Sequence, residues 1–167
     1  MDKIVHASKK TGGSDCWGTP QKIIQLFEQY LGKPFDLDAA ASAENAICSN
    51  YITEEMNSLT TLWQGQNVWL NPPYSLNKQF LKRCVEMQDY CENIVVLIPA
   101  RTDTEYWHNY VMHYASTIWF IKGRIKFVGA PAGAPFPSAI IKFNKVERTQ
   151  QGLQFFSWKM SPTARGF

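Results

Sequence analysis

Residues 94–98, Ile94-Val95-Val96-Leu97-Ile98, form an uninterrupted apolar run. A strand that faces water on one side alternates polar and apolar residues. One without alternation is covered on both faces, as in a parallel sheet flanked by helices. The flanking pattern agrees. Ahead of the run, Ser75 is placed to cap a helix with Phe80, Leu81, Cys84 and Val85 on one face. Beyond it, Thr102 or Asp103 is placed to cap a second, with Tyr106, Trp107, Tyr110, Val111 and Tyr114 together. Extended to Ala100 the run is still far short of the ~20 apolar residues of a membrane-spanning helix. The chain has 167 residues, 45% apolar and 19% charged, which suits one globular domain.

Residues 1–15 are polar and read as a flexible arm, leaving residues 16–167 as a single domain. Thr19-Pro20 suits a helix start, with Thr as cap and Pro in the first helical position, where its missing N–H costs nothing. Ile23, Ile24, Leu26, Phe27, Tyr30 and Leu31 give that helix an apolar face, and Gly32 stops it. Residues 35–42 begin as a strand and end in small residues. A short strand is expected at 50–53, and others at Asn67–Leu70, 117–121 and Ser138–Phe143. Residues 122–124 read as a turn into 125–128, and 129–137 as a Gly/Pro/Ala loop. Strands alternating with helices predict an α/β fold with a mostly parallel sheet. The strand-turn-strand pattern near the end adds an antiparallel edge.

The net charge is +3. This is too small to hold nucleic acid by overall attraction and fits a local basic patch. No apolar segment near Met1 resembles a secretory leader, and the expected location is the cytoplasm. Cys16, Cys48, Cys84 and Cys91 form no C-x-x-C pair and read as reduced thiols. His108 and His113, five apart, read as surface or core residues, and no metal site is expected.

The stretch that carries chemistry is Asn71-Pro72-Pro73-Tyr74, directly after the strand Asn67–Leu70. Ligands in open α/β sheets bind at the carboxyl ends of strands. By composition alone such a tetrapeptide arises with a frequency on the order of 10⁻⁶ per position. Each proline fixes its own φ and holds the residue before it extended, so Asn71 and Pro72 are both constrained. The Asn71 side-chain oxygen and the Pro72 carbonyl can then face one point, as two acceptors for an NH₂ group. Tyr74 adds a flat face for stacking a ring. A ring amine is a poor nucleophile because its lone pair is delocalised. Acceptors on both hydrogens favour a pyramidal nitrogen and restore the lone pair. Asn is no base at neutral pH, so its part is orientation and electrostatic stabilisation. An adenine in DNA or RNA and a glutamine amide all present such an NH₂. A non-catalytic DNA-binding module on the same scaffold is a further reading.

Asp36 and Asp38 precede the small residues Ala39, Ala40, Ala41 and Ser42. Small residues at a strand end let a ligand approach the backbone, and carboxylates accept from a ribose or an ammonium group. A strand-end Asp is as often a turn former or helix cap. Neither G-x-G-x-x-G nor G-x-x-x-x-G-K-[ST] is present, which argues against a dinucleotide enzyme and a P-loop.

Taken in order, Trp17-Gly18-Thr19-Pro20, Phe35-Asp36-Leu37-Asp38-Ala39-Ala40 and Val68-Trp69-Leu70-Asn71-Pro72-Pro73-Tyr74-Ser75 resemble the phage-type DNA N6-adenine methyltransferase (Dam-like) family. Leu97-Ile98-Pro99-Ala100-Arg101-Thr102-Asp103-Thr104 and Gly123-Arg124-Ile125-Lys126-Phe127 support the likeness. The resemblance implies a shortened Rossmann-like methyltransferase sheet with a reversed hairpin near its end. It implies S-adenosyl-L-methionine as cofactor and an adenine flipped out of double-stranded DNA as acceptor. Asn71, Pro72, Pro73 and Tyr74 become the catalytic loop. Trp17, Thr19, Pro20, Asp36, Asp38, Ala39, Ala40 and Asn57 become the cofactor pocket. Alanines stand where larger methyltransferases have a glycine-rich loop. With no room for a separate recognition domain, the DNA contacts fall to loop residues: Lys9, Lys10, Ser75, Arg101, Lys122, Arg124 and Lys126.

Overall fold

The computed structural model describes residues 17–159. The polar arm over 1–15, with Lys9 and Lys10, and also Cys16, lie outside the described residues.

Six strands form one sheet: β1 (Leu37–Asp38), β2 (Asn67–Leu70), β3 (Asn93–Pro99), β4 (Thr117–Lys122), β5 (Ser138–Phe143) and β6 (Gln154–Lys159). Their spatial order is β1-β2-β3-β5-β4-β6. β1, β2 and β3 are parallel neighbours. β5 lies antiparallel between β3 and β4, and β6 runs parallel to β4 at the far edge. This is a Rossmann-like α/β sheet with one reversed strand. The reversed strand is internal, where an edge position was expected. Ala139, Ile140, Ile141 and Phe143 are fully buried, and an edge would leave them half wet.

Side-chain alternation divides the core in two. Ile94, Val96 and Ile98 of β3, with Val68 and Leu70 of β2, meet Phe80, Leu81, Cys84 and Met87 of helix α2 (Asn77–Met87). Val95, Leu97, Trp69 and Trp119 point to the opposite face, against Ile23, Ile24 and Phe27 of helix α1 (Gln21–Leu31). The continuous run 94–98 is buried on both sides, as its composition requires.

α1 ends as expected, with Gly32 at φ 70° and its N–H directed to the carbonyls of Glu28 and Gln29. Its start differs. Pro20 occupies the cap position without a side-chain hydrogen bond, because the Thr19 hydroxyl is engaged elsewhere. Ser75 is not the cap of α2 either. A 3₁₀ turn, Tyr74–Leu76, intervenes and puts Leu76 in that place. The third helical region is π-helical over Trp107–Met112. Its wider i→i+5 turn buries Trp107 and Val111 but rotates Tyr114 outward, to 43% exposure. Neither Thr102 nor Asp103 caps it, and the turn before it is closed by Thr104, whose hydroxyl donates to the Arg101 carbonyl at 2.7 Å.

Residues 50–53 make a single parallel bridge, Asp38 to Tyr51. Residues 125–128 do not form a strand. Ile125 and Phe127 are buried as loop side chains, and Val128 bridges Gly18. A last helix, α3 (Lys145–Gln151), is capped by Asn144, whose side chain accepts from the Glu147 N–H. No helix among the described residues is long and apolar enough to cross a membrane.

Candidate active site

The carboxyl ends of β1, β2 and β3 lie side by side. They release the chain into Ala39-Ala40, Asn71-Pro72-Pro73-Tyr74 and Ala100-Arg101 respectively. The Ala39 N–H donates to the Trp69 carbonyl at 2.9 Å, which sets the small residues beside the end of β2. Pro73 has φ −54° and ψ 126°, the extended form that proline favours, and its carbonyl accepts from the Leu76 N–H. The chain thus turns sharply into α2 and leaves Asn71 and Pro72 at the strand end.

The Asn71 amide is oriented by its nitrogen. Nδ2 donates to the Trp17 carbonyl and to the Thr19 hydroxyl, both at 3.4 Å. Its Oδ1 is buried and has no hydrogen-bond partner among the described residues. The Pro72 carbonyl likewise receives no hydrogen bond from the described residues. A buried acceptor without a donor costs about 1–3 kcal/mol, so the Asn71 oxygen marks a place where a donor belongs.

Aromatic rings surround this point. Tyr74 meets Phe136 edge to face at 4.9 Å between centroids and tilts against Phe127 at 6.4 Å. Phe127 stacks on Trp17 at 6.1 Å. Phe136 belongs to the loop 129–137, which is tied to the end of β3 by the Ala100 N–H donating to the Pro137 carbonyl. Sequence reasoning missed Phe127 and Phe136 as part of the site, because a loop of Gly, Pro and Ala gives no periodicity to read.

The two aspartates separate. Asp38 is buried, and its carboxylate accepts from the N–H groups of Ala40 and Ile47, shaping the loop beyond β1. Burial raises its pKa to about 6, against the lowering effect of those two hydrogen bonds. Asp36 is not brought to the site. It sits at the amino end of β1, where its carboxylate accepts from the N–H groups of Gln66 and Asn67. There it clamps β1 to the start of β2, with Gly65 so close that a Cβ would lie 2.7 Å from Leu37 Cβ. Asn57 follows the Tyr51 bridge and has φ 54°, a left-handed conformation that Asn tolerates. Its side chain accepts from the Leu59 N–H and shapes that turn.

The cationic candidates gather on the same side. Arg101 follows β3, Lys122 ends β4, and Arg124 and Lys126 lie in the loop beyond. All are exposed and none has an ion-pair partner among the described residues. Ser75 is exposed within the 3₁₀ turn beside them. Lys78, in the first turn of α2, is also exposed and has no ion-pair partner among the described residues, and sequence reasoning passed it over.

Cys48, Cys84 and Cys91 are free thiols. Burial pushes Cys91 up to about 11 and also raises Cys84 well above the ordinary thiol value. His113 Nδ1 lies 2.7 Å from the His108 carbonyl across the π turn. No group of three or more His, Cys, Asp or Glu is placed to hold a metal among the described residues.

A DNA N-6-adenine-methyltransferase of Escherichia phage T1 is 39% identical over 106 residues, covering 63% of this chain and 44% of the relative. A protein of the same description from Haemophilus phage HP1 is 31% identical over 131 residues, covering 78% of this chain and 76% of the relative. The match therefore spans less than half of the T1 protein's length. A solved structure from Pyrococcus horikoshii overlays 70% of this chain and 66% of its own at 11% identity, with a TM-score of 0.48, a likeness too loose to bear on function. The family described as DNA N-6-adenine-methyltransferase (Dam) matches residues 6–143, a span that contains Trp17, Asp38 and the whole loop from Asn71 to Tyr74, and the chain belongs to that family.

Proposed function

We propose that this chain transfers a methyl group from S-adenosyl-L-methionine to the N6 amine of adenine in double-stranded DNA. The observation that carries the reading is the buried Asn71 Oδ1, without a hydrogen-bond partner among the described residues, in the loop that also holds the Pro72 carbonyl and Tyr74. Asn71 Oδ1 and the Pro72 carbonyl would each accept from one hydrogen of the amine, and Tyr74 would stack on the ring. This would hold the nitrogen with its lone pair available to the methyl group that S-adenosyl-L-methionine would supply, and the amine proton released on transfer would pass to solvent.

The cofactor fits the site in part. S-adenosyl-L-methionine supplies an electrophilic methyl on a positively charged sulfur. Trp17, Pro20, Ala39 and Ala40 would hold it at the strand ends, while the Thr19 hydroxyl is turned to Asn71. Asp38 supports their loop through Ala40 and Ile47. Asp36, just before β1, spends its carboxylate on the N–H groups of Gln66 and Asn67 instead.

Arg101, Lys122, Arg124, Lys126 and Ser75 supply the DNA contacts on this side, and Lys78 joins them. Extruding a base costs a few kcal/mol, offset by stacking and by backbone contacts. A bacterial cytoplasm is the expected setting.

The test is methyl transfer from radiolabelled S-adenosyl-L-methionine to duplex DNA, RNA and a protein extract in parallel, followed by nucleoside analysis. Label recovered as N6-methyladenine from DNA is the expected result. Label confined to RNA or protein overturns the acceptor and leaves the chemistry of the loop intact. Cofactor binding without transfer to any acceptor favours the non-catalytic module.

A further inference from the structure

We propose that Thr19 is a positioning residue, which fixes the orientation of the Asn71 amide so that Oδ1 faces the substrate amine. The proposal rests on the catalytic reading of Asn71 and deepens it.

An asparagine amide has two ends of similar shape and opposite polarity. Rotated by half a turn it would present NH₂ to NH₂, and the acceptor would be lost. The Trp17 carbonyl can only accept, so it selects the nitrogen end. A single acceptor leaves the second amide hydrogen and the tilt of the group unfixed. The Thr19 hydroxyl takes that second hydrogen, also at 3.4 Å. Both contacts are long, and such contacts tighten when a catalytic site closes on its substrate.

Thr19 is held for this task from both sides. The Gly18 carbonyl accepts from the Val128 N–H at 2.9 Å, and Gly18 has just room for the approach, since a Cβ there would meet Val128 Cβ at 3.4 Å. The Pro20 carbonyl accepts from the Ile23 N–H at 2.9 Å and begins α1. The Thr19 hydroxyl is not used as a cap, since α1 has no side-chain cap bond. Trp17-Gly18-Thr19-Pro20 therefore assigns each residue one hydrogen-bonding duty, and two of the four fall on Asn71.

The experiment compares Thr19→Val, Thr19→Ser and Asn71→Ala. Turnover on DNA, cofactor affinity by calorimetry and the side-chain NH₂ resonances of Asn71 are read for each, the last assigned by their loss in Asn71→Ala. Thr19→Val keeps the shape and removes the acceptor, and kcat should fall roughly tenfold, the value of one such bond, with cofactor affinity unchanged. The Asn71 NH₂ resonances should shift in Thr19→Val and stay in place in Thr19→Ser, which should recover most of the rate. If Thr19→Val does not fold, Thr19→Ala carries the same test.

Unchanged kcat and unmoved resonances in Thr19→Val overturn the proposal. So does a loss seen only in cofactor affinity, which would make Thr19 a cofactor contact. If Asn71→Ala keeps full turnover, it is the catalytic reading that fails, whatever Thr19 does.

Discussion

At the amino ends of the strands, charge is matched with charge. Lys33 meets Glu92 at 2.9 Å, Lys145 meets Asp89, and the buried Lys142 meets Glu147 at 2.5 Å with Tyr30 alongside. The two other ion pairs among the described residues, Lys82–Glu86 and Arg83–Glu86, lie along α2. At the carboxyl ends, Arg101, Lys122, Arg124 and Lys126 are exposed and have no acidic partner among the described residues, although Asp103 lies two residues from Arg101. Polar groups divide the same way. Asn67, Asn93 and Asn144 form a satisfied chain of side-chain amides across the amino end, at 2.8 and 3.0 Å. Asn71, only a few residues beyond Asn67 along β2, keeps a buried oxygen unpaired. One end has its polar groups closed internally and serves stability. The other leaves them open among the described residues.

Substitutions at the two ends should therefore fail in different ways. The largest effect is expected from Asn71→Ala, which should lower kcat on DNA by about a thousandfold while leaving the melting temperature and cofactor affinity near wild type. A comparable loss of stability would place Asn71 with the structural asparagines instead. At the amino end, Lys142→Ala strands Glu147 and opens a gap against Tyr30. Because Glu147 is 35% exposed and can be solvated, denaturant unfolding should show a loss of about 1–3 kcal/mol, with turnover per folded molecule unchanged.

Asp38 sits between these cases, and pH reads it. Its folded-state pKa of about 6 lies above the ordinary carboxylate value of 3.8. The folded chain thus holds a proton that the unfolded chain has lost between these values. Stability from this group is fully present below about pH 4 and declines as pH rises through 6, by on the order of 3 kcal/mol. Asp38→Asn should flatten that part of the stability–pH curve, even if it lowers stability overall by breaking the loop contacts. An unchanged curve would show that the carboxylate ionises freely.

The smallest effects separate the charges. Arg124→Ala with Lys126→Ala should weaken DNA binding and make its salt dependence shallower, by about 1 in slope for each phosphate no longer neutralised, without moving the melting temperature. Lys33→Ala should do neither, costing about 0.5 kcal/mol at most for an exposed pair. If Lys33→Ala weakens DNA binding as much as the loop substitutions, the division between the ends is wrong.

The parts legible in the sequence are those written locally. β2 and β3 follow from short apolar runs, the faces of α1 and α2 from helical spacing, and the acceptor loop from two prolines that restrict their own neighbours. What escaped depends on distant partners. β6 carries exposed Phe155 and Phe156 and no alternation, so only its pairing with β4 makes it a strand. α3 buries none of its side chains and has no face to read. Asp36 and Asp38 look alike in a line of text, yet one carboxylate accepts from the start of β2 and the other from the loop beyond β1. Phe136 reaches Tyr74 only because β5 returns through the middle of the sheet. The same holds for Thr19, which reads as a cap until Asn71 is folded against it.

That return of β5 also governs the order in which the chain can complete itself during synthesis. β3 has β2 on one side as soon as residues 67–99 have left the ribosome, but its other edge is paired only by β5, which ends at residue 143. Until then a seven-residue apolar strand offers open N–H and C=O groups to any neighbouring chain. β4, made in the meantime, cannot cover it, because the two are joined only through β5. A nascent chain stalled before Ser138 should therefore be sticky, and one released after residue 143 much less so.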